Sequence, residues 1–392
     1  MNILIWMSTS FKTTSRHLLI AILDELLMAG NQITVLKKKV DGETEELPNE
    51  LTGRGIQCIS IPTTASNKGN LIARYVKDIG YIYKCKKYLN HSYDAVFVQS
   101  SNVAGLAFRI LHKKQLDAVK TFNVQDAFPQ NAVFSGTLKR HSIPYKVLRF
   151  IQNYAYKYTD HIITISEDMK QLLIDEVGVD PSKVEVIYNW SYSDDVYEDS
   201  MYDREAIAKI FKSGFYTIVY AGNIGVMQNV DVIIEAAKLI KEYKDIWFYI
   251  IGDGVYKEKL QEKATEEGVV NISFLPMQPA ELAPSIYGLA DVNIIPLKQG
   301  VYKTALPSKT ATCLACQRPI IFAIGKSSLF GKRVAVETGC LLVDSDDAQE
   351  LADAILSIRN GDSNVRTADF FYNNLTKTAN SRRYAEIVTR RK

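Results

Sequence analysis

Short, largely apolar runs rich in Ile, Val, Tyr and Phe alternate with helix-length stretches along this entire chain. The runs fall at 2–6, 32–36, 94–98, 119–124, 161–165 and 184–188. They resume at 216–221, 246–251, 271–275, 292–296, 319–323 and 340–343. Helical patterns lie between them, among others at 15–29, 168–176, 230–243, 255–266 and 348–358. A strand without a polar face must be covered on both sides, so alternation with helices predicts parallel sheets flanked by helices. The pattern starts afresh near residue 215, and 392 residues are long for one domain. The expected architecture is α/β, with two doubly wound domains facing across a cleft. The first covers 1–190, a linker 191–205, and the second 206–366. A helical tail over 367–392 packs back on the first domain. The linker is read from the acidic run Asp194, Asp195, Glu198, Asp199 and Asp203. Open α/β sheets bind ligands at the carboxyl ends of their strands, which puts the ligands in the cleft.

Composition narrows the function. No apolar run reaches the ~18–20 residues that span a bilayer. The N-terminus has no basic segment ahead of its apolar run and reads as a first strand. Five scattered cysteines (Cys58, Cys85, Cys313, Cys316, Cys340) suit a reducing cytoplasm. The net charge of +3 gives no sign of a nucleic-acid partner. Two stretches are nevertheless basic and aromatic: 68–88, with six Lys/Arg and one Asp, and 111–160, with eight Lys/Arg and three Asp. Such helices can lie on an anionic membrane surface, or can be solvated basic faces with the tyrosines packed inward.

Four segments at strand ends in the second half carry the chemistry. Pro307-Ser308-Lys309-Thr310 is expected to open a helix over 308–317, where unpaired N–H groups favour a phosphate and Lys309 adds a cation. Tyr220-Ala221-Gly222-Asn223-Ile224-Gly225, followed by Gln228, offers backbone without side chains for close approach. Ile251-Gly252-Asp253-Gly254 is a glycine-rich turn before a helix. It lacks the full dinucleotide fingerprint, which argues against hydride transfer. At Phe274-Leu275-Pro276-Met277 a flat base could stack or bond to backbone.

In this order and spacing, these segments resemble the donor domain of a retaining nucleotide-sugar glycosyltransferase of the GT-B type, with two Rossmann-like domains. Together with Leu289-Ala290-Asp291-Val292 and Arg318-Pro319, they look like family 4, in particular its bacterial envelope-polysaccharide members. Val124-Gln125-Asp126-Ala127-Phe128-Pro129, Ile165-Ser166-Glu167-Asp168-Met169 and Val186-Ile187-Tyr188-Asn189-Trp190 extend the resemblance over nearly the whole chain. It implies a UDP-sugar donor and a lipid-diphosphate-linked saccharide acceptor in capsule, O-antigen or exopolysaccharide assembly. It further implies retention by front-face attack, and together with the basic aromatic runs it leads to the expectation of a cytoplasmic enzyme peripheral to the inner face of the plasma membrane. The nucleotide sugar is a substrate, and no metal or other cofactor is expected. The implied donor contacts are Gly222, Asn223, Gln228, Gly252, Asp253, Gly254, Met277, Thr304, Pro307, Ser308, Lys309, Thr310 and Thr312. Asp126 and Lys309 are the implied catalytic residues.

The departures are specific. The loop Met7-Ser8-Thr9-Ser10-Phe11-Lys12-Thr13-Thr14 lacks the family's glycine pair. Neutral Asn223 and Gln228 replace an Arg and a Lys, and Thr304 and Thr312 replace paired glutamates. Threonine can hydrogen-bond but supplies no carboxylate. Asp126 either meets the reacting sugars or caps the turn before Pro129. Asp344-Ser345-Asp346 reads as helix capping rather than a metal site, Cys313 and Cys316 as packing residues, and His17 as a packing or surface residue. Two rivals stay open: a non-catalytic relative that binds a partner or glycan, and a UDP-sugar epimerase.

Overall fold

Strands form where the apolar runs predict them, because Ile, Val and aromatic side chains fit a pleated surface buried on both faces. The computed structural model describes residues 1–11, 16–40, 47–63 and 71–391, and side chains there except at 40 and 71–74. Lys12, Thr13, Thr14 and Lys68 lie outside the described residues. The chain divides into two compact units, Met1–Tyr188 with Lys377–Lys392, and Asn189–Thr376.

The first unit contains β1 (Asn2–Trp6), β2 (Gln32–Val40), β3 (Gln57–Thr63), β4 (Ala95–Gln99), β5 (Val119–Val124), β6 (His161–Thr164) and β7 (Val184–Val186). They form one sheet in the order β3-β2-β1-β4-β5-β6-β7, and every pairing is parallel. Ile3, Leu4, Ile5 and Trp6 are at most 1% exposed, as a central strand requires. The run at β3 was not expected as a strand: Pro62 interrupts it, and an edge position is where a missing N–H is tolerated.

The second unit contains β8 (Tyr216–Ala221), β9 (Ile246–Ile251), β10 (Ile272–Leu275), β11 (Val292–Pro296), β12 (Ile320–Ala323) and β13 (Leu341–Val343). They form a parallel sheet in the order β10-β9-β8-β11-β12-β13. Its helices close a core around Ile218, Phe248, Ile250, Ile294 and Ile355.

Two boundaries differ from the expected ones. Residues 191–205 are docked into the second unit rather than linking freely. Tyr197 N–H donates to Ala315 O (2.8 Å), the buried Tyr202 hydroxyl to Cys316 O (3.2 Å), and Asp203 N–H to Ser285 Oγ (2.9 Å). Asp199 pairs with Arg318 at 2.8 Å, so the acidic run has a cationic partner far away in sequence. The tail is also divided. Helix Thr367–Asn374 stays with the second unit, where Thr367 Oγ1 donates to Leu314 O at 2.7 Å. Only helix Lys377–Thr389 belongs to the first, where Tyr384 OH meets Asn123 Oδ1 and Asn380 Nδ2 meets Tyr188 O.

Candidate functional site

In each sheet the strand order reverses direction beside one strand: between β1 and β4 in the first unit, and between β8 and β11 in the second. The loops leaving the carboxyl ends there splay apart and leave a crevice where ligands bind.

In the second unit the glycine loops lie directly on one another. Gly222 N–H donates to Ile251 O (2.9 Å), Ile224 N–H to Asp253 O (2.9 Å) and Gly252 N–H to Leu275 O (3.1 Å). A Cβ on Gly252 would come within 1.8 Å of Gly222 O, and one on Gly254 within 2.1 Å of Ile224 O. These two glycines are therefore required by loop-on-loop packing. Gly222 is different: with φ +149°, its open side meets the Lys309 ammonium, 2.8 Å from where a Cβ would stand.

Lys309 departs from its expected setting. The helix is only six residues, Thr310–Ala315, and Lys309 is its N-cap with Pro307 and Ser308 outside it, so the helix dipole contributes little. Gln317 in the left-handed region, φ 55°, ends the segment early. The Lys309 residue is half-buried, and its ammonium lies 3.7 Å from the Tyr220 ring centroid. Desolvation pulls its pKa down from 10.5 to about 7, and no carboxylate pairs with it among the described residues. A lysine whose charged form burial disfavours, with an aromatic face beside it, suits an incoming anion that would restore the proton. Tyr220 is held in turn by its hydroxyl bond to Asn223 O (2.5 Å), while Tyr287 OH donates to Ala221 O (3.0 Å).

Asn223 Nδ2 donates to Gln228 Oε1 at 3.2 Å, so the two neutral replacements occupy one another. Lys298 N–H donates to Met227 O (2.9 Å) and joins the loop after β11 to the loop after β8. Asp253 accepts from Met277 N–H (3.2 Å) and from Lys257 Nζ (3.0 Å), and the Lys257 bond is the main reason its carboxyl is held below the usual range. Lys257 also donates to Gly252 O (2.7 Å) and Leu275 O (3.1 Å). One ammonium thus ties the loop after β9 to the loop after β10. Sequence reading missed Lys257; its spacing of one helical turn from Asp253 was the available signal.

The threonines divide. Thr304 is fully buried and its hydroxyl donates to Val301 O at 3.1 Å, so it does not present itself to a sugar as the implied role requires. Thr312 is half-buried on the short helix, and Thr310 Oγ1 is buried without a hydrogen-bond partner. Met277 is exposed beside the Lys257 clamp.

In the first unit, Asp126 follows β5. It does not cap the next helix, Gln130–Phe134, whose N-cap is Pro129. The residue keeps exposed surface, yet its surroundings withhold enough water to push its carboxyl above the usual range. No hydrogen bond holds that carboxyl among the described residues, so it is unspent. Neighbouring loops are tied through Gln125 N–H to Ser100 Oγ (3.2 Å) and Thr9 Oγ1 to Gln99 Oε1 (3.4 Å). His17 is half-buried near the start of helix Arg16–Met28.

The remaining motifs are structural. Asp347, not Asp344 or Asp346, caps helix Ala348–Arg359 by accepting from Glu350 N–H. Asp344 accepts from Lys326 N–H and Asp346 from Asn229 Nδ2. Cys313 and Cys316 are buried, and burial pushes both thiols upward, Cys316 to about 12.

Comparison with known proteins agrees with this fold. Residues 17–190 match the model of Glycosyltransferase Family 4, and residues 216–360 that of Glycosyl transferases group 1. The chain is 28% identical over 312 residues to the "Probable glycosyltransferase WbjE" of Pseudomonas aeruginosa, covering 78% of this chain and 76% of that protein. Its fold is similar to that of HepE of Anabaena, solved in complex with UDP and glucose (TM-score 0.65, 13% identity, 99% of this chain and 95% of that one). It is also similar to that of WaaG, a glycosyltransferase involved in lipopolysaccharide biosynthesis (TM-score 0.68, 11% identity, 99% of each chain). Two doubly wound parallel sheets, each matched by its own glycosyltransferase family model, place this chain among the family 4-type glycosyltransferases of the GT-B fold.

Proposed function

We propose that this enzyme transfers a sugar, with retention, from a UDP-sugar to a lipid-diphosphate-linked saccharide in cell-surface polysaccharide assembly. The observation that carries the reading is Lys309: an unpaired ammonium on the Tyr220 ring, against the open side of Gly222, at the sheet's reversal point. The diphosphate binds there. The base occupies the region of Gly252, Asp253, Gly254 and Met277, whose spacing Lys257 sets. Asn223 Oδ1 and Gln228 Nε2, the ends left over by their mutual bond, supply neutral hydrogen bonds together with Thr312, while buried Thr310 lies behind them and Pro307 and Ser308 form the approach to Lys309. The UDP and glucose bound by HepE and the lipopolysaccharide role of WaaG support this choice of chemistry by analogy.

During transfer the bond from the anomeric carbon to the phosphate oxygen breaks and a bond to the acceptor hydroxyl forms on the same face. The hydroxyl proton passes to the departing phosphate oxygen. Negative charge grows on the diphosphate, and the Lys309 ammonium stabilises it without a metal in this reading. Asp126 meets the reacting sugars with its free carboxyl.

A membrane-peripheral location is supported by helix Ile143–Tyr158. It exposes Ile143 (78%) and Val147 (51%) beside exposed Lys139 and Lys146, and no carboxylate occurs from 127 to 159. Among the described residues, no helix is long and apolar enough to cross a membrane. The test is a thermal-shift screen of nucleotide sugars, then UDP release with lipid-linked acceptors. Stabilisation by UDP-sugars and acceptor-dependent release are expected. No stabilisation by any uridine nucleotide, or activity indifferent to the lipid and no affinity for anionic vesicles, would reject the respective parts.

A further inference from the structure

A cavity of about 510 Å³ opens in the first unit, away from the site described above. One wall is the C-terminal part of helix Ile143–Tyr158 from Phe150 onward, carrying Phe150, Asn153, Tyr154 and Lys157. The other is the turn carrying Asp180 and Lys183. These walls lead into the starts of β6 and β7, whereas Asp126 follows the end of β5. All strands are parallel, so the cavity lies at the amino-terminal edge of the sheet, opposite the catalytic edge. The walls are braced: Lys183 Nζ donates to Thr159 O at 3.2 Å, and Arg149 Nη2 donates to Glu176 O. The cavity is therefore preformed, and its volume is that of a small-molecule site.

Its chemistry is mixed in a particular way. Phe150 is 63% exposed and continues into a ladder of rings, 5.4 Å to Tyr154 and 5.9 Å from Tyr154 to Tyr158. Successive rings along one helix offer a flat apolar surface with a polar hydroxyl rim, onto which a ligand's apolar face can pack. Lys157 and Lys183 bring positive charge, but Asp180 faces the same space. Bonds from the Ser182 N–H and hydroxyl hold its carboxyl below the usual range, and therefore ionised. A phosphate would meet that carboxylate, and a wholly apolar ligand would strand the polar groups. A pyranose satisfies both demands: its C–H face packs on a ring, and its hydroxyls pair with donors and acceptors alike.

We propose that this cavity is a second, non-catalytic saccharide site that holds a distal part of a glycan while the reacting end is engaged elsewhere. The site goes beyond the transfer reaction, and its binding test does not depend on that reading.

Saturation-transfer NMR on the full chain, with UDP present in excess, tests it using maltose, lactose and N,N′-diacetylchitobiose as probes. At least one disaccharide should bind despite UDP. Phe150→Ala and Lys157→Ala, both at exposed positions, should each weaken that binding several-fold. Melting temperature and transfer to a short soluble acceptor should stay at the wild-type level. Four results would overturn the proposal: no disaccharide binding, binding displaced by UDP, binding indifferent to both substitutions, or loss of transfer to the short acceptor. Loss of binding to phosphatidylglycerol vesicles in the variants, without any sugar binding, would reassign the cavity to lipid and also reject it.

Discussion

Raising the pH above neutrality should weaken donor binding, with Lys309 as the cause. Its ammonium lies over the Tyr220 ring, and desolvation brings its pKa from 10.5 to about 7. A gap of between three and four pKa units corresponds to roughly 4–5 kcal/mol against the charged form in the unliganded protein. A diphosphate beside the ammonium reverses that preference, because an opposite charge favours the protonated state. Donor binding should then take up a proton above about pH 7, until the raised pKa of the complex is reached. Over that window the affinity falls by up to about tenfold per pH unit. UDP-glucose is a suitable probe, since its diphosphate keeps a fixed charge there. Its Kd should rise roughly tenfold between about pH 7.5 and 8.5, measured calorimetrically in two buffers of different ionisation enthalpy, with uptake approaching one proton. Lys309→Met should abolish both the slope and the uptake. It should also weaken binding near pH 7 by about 2–3 kcal/mol, the range for a hydrogen bond to a charged group. The same shift sets a stability trend. The unfolded lysine holds its proton up to about pH 10.5 and the folded one only to about 7, so the unliganded protein should gain stability as pH rises between them. A Kd flat from about pH 6.5 to 8.5, or a slope that survives in Lys309→Met, would refute the reasoning.

Three further outcomes are expected. Gly252→Ala, which drives a Cβ into Gly222 O, should cost on the order of 3 kcal/mol or more in urea unfolding, and wild-type stability would show that the loops are not in contact. Asp126→Asn should lower turnover about a hundredfold without lowering the melting temperature at neutral pH. The wild-type carboxyl has a folded-state pKa above its unfolded value, so it favours folding in acid and loses that contribution as pH rises; a destabilised Asn variant would point to a structural role. Lys257→Met should raise the donor KM by roughly 10–100-fold with little change in kcat, since it loosens the two loops rather than the reacting groups, and Lys257→Arg should restore part of the loss.

How much of this was legible in the sequence differs element by element. The strands of both sheets were readable because a run such as Ile3-Leu4-Ile5-Trp6 is apolar on both faces, and β3 was missed because Pro62 and polar neighbours belong to an edge. The glycine loops were readable as close approaches, though not that Gly252 and Gly254 approach another loop rather than a ligand. Lys309 was readable as a candidate phosphate ligand at a helix start, but not as the N-cap of a six-residue helix. Thr304 carried the right hydrogen-bonding chemistry for its implied role and the wrong exposure.

The sequence alone determined two parallel α/β sheets and the ordered strand-end segments, because apolar periodicity and loop glycines are local properties of neighbouring residues. The tertiary structure decided which groups remain available. It committed Asp253 to Lys257 and Asn223 to Gln228, docked 191–205 by pairing Asp199 with Arg318, and left Asp126 and Lys309 unspent. Desolvation and pairing are set by partners distant along the chain, and a side chain's type and spacing do not say whether such a partner will arrive.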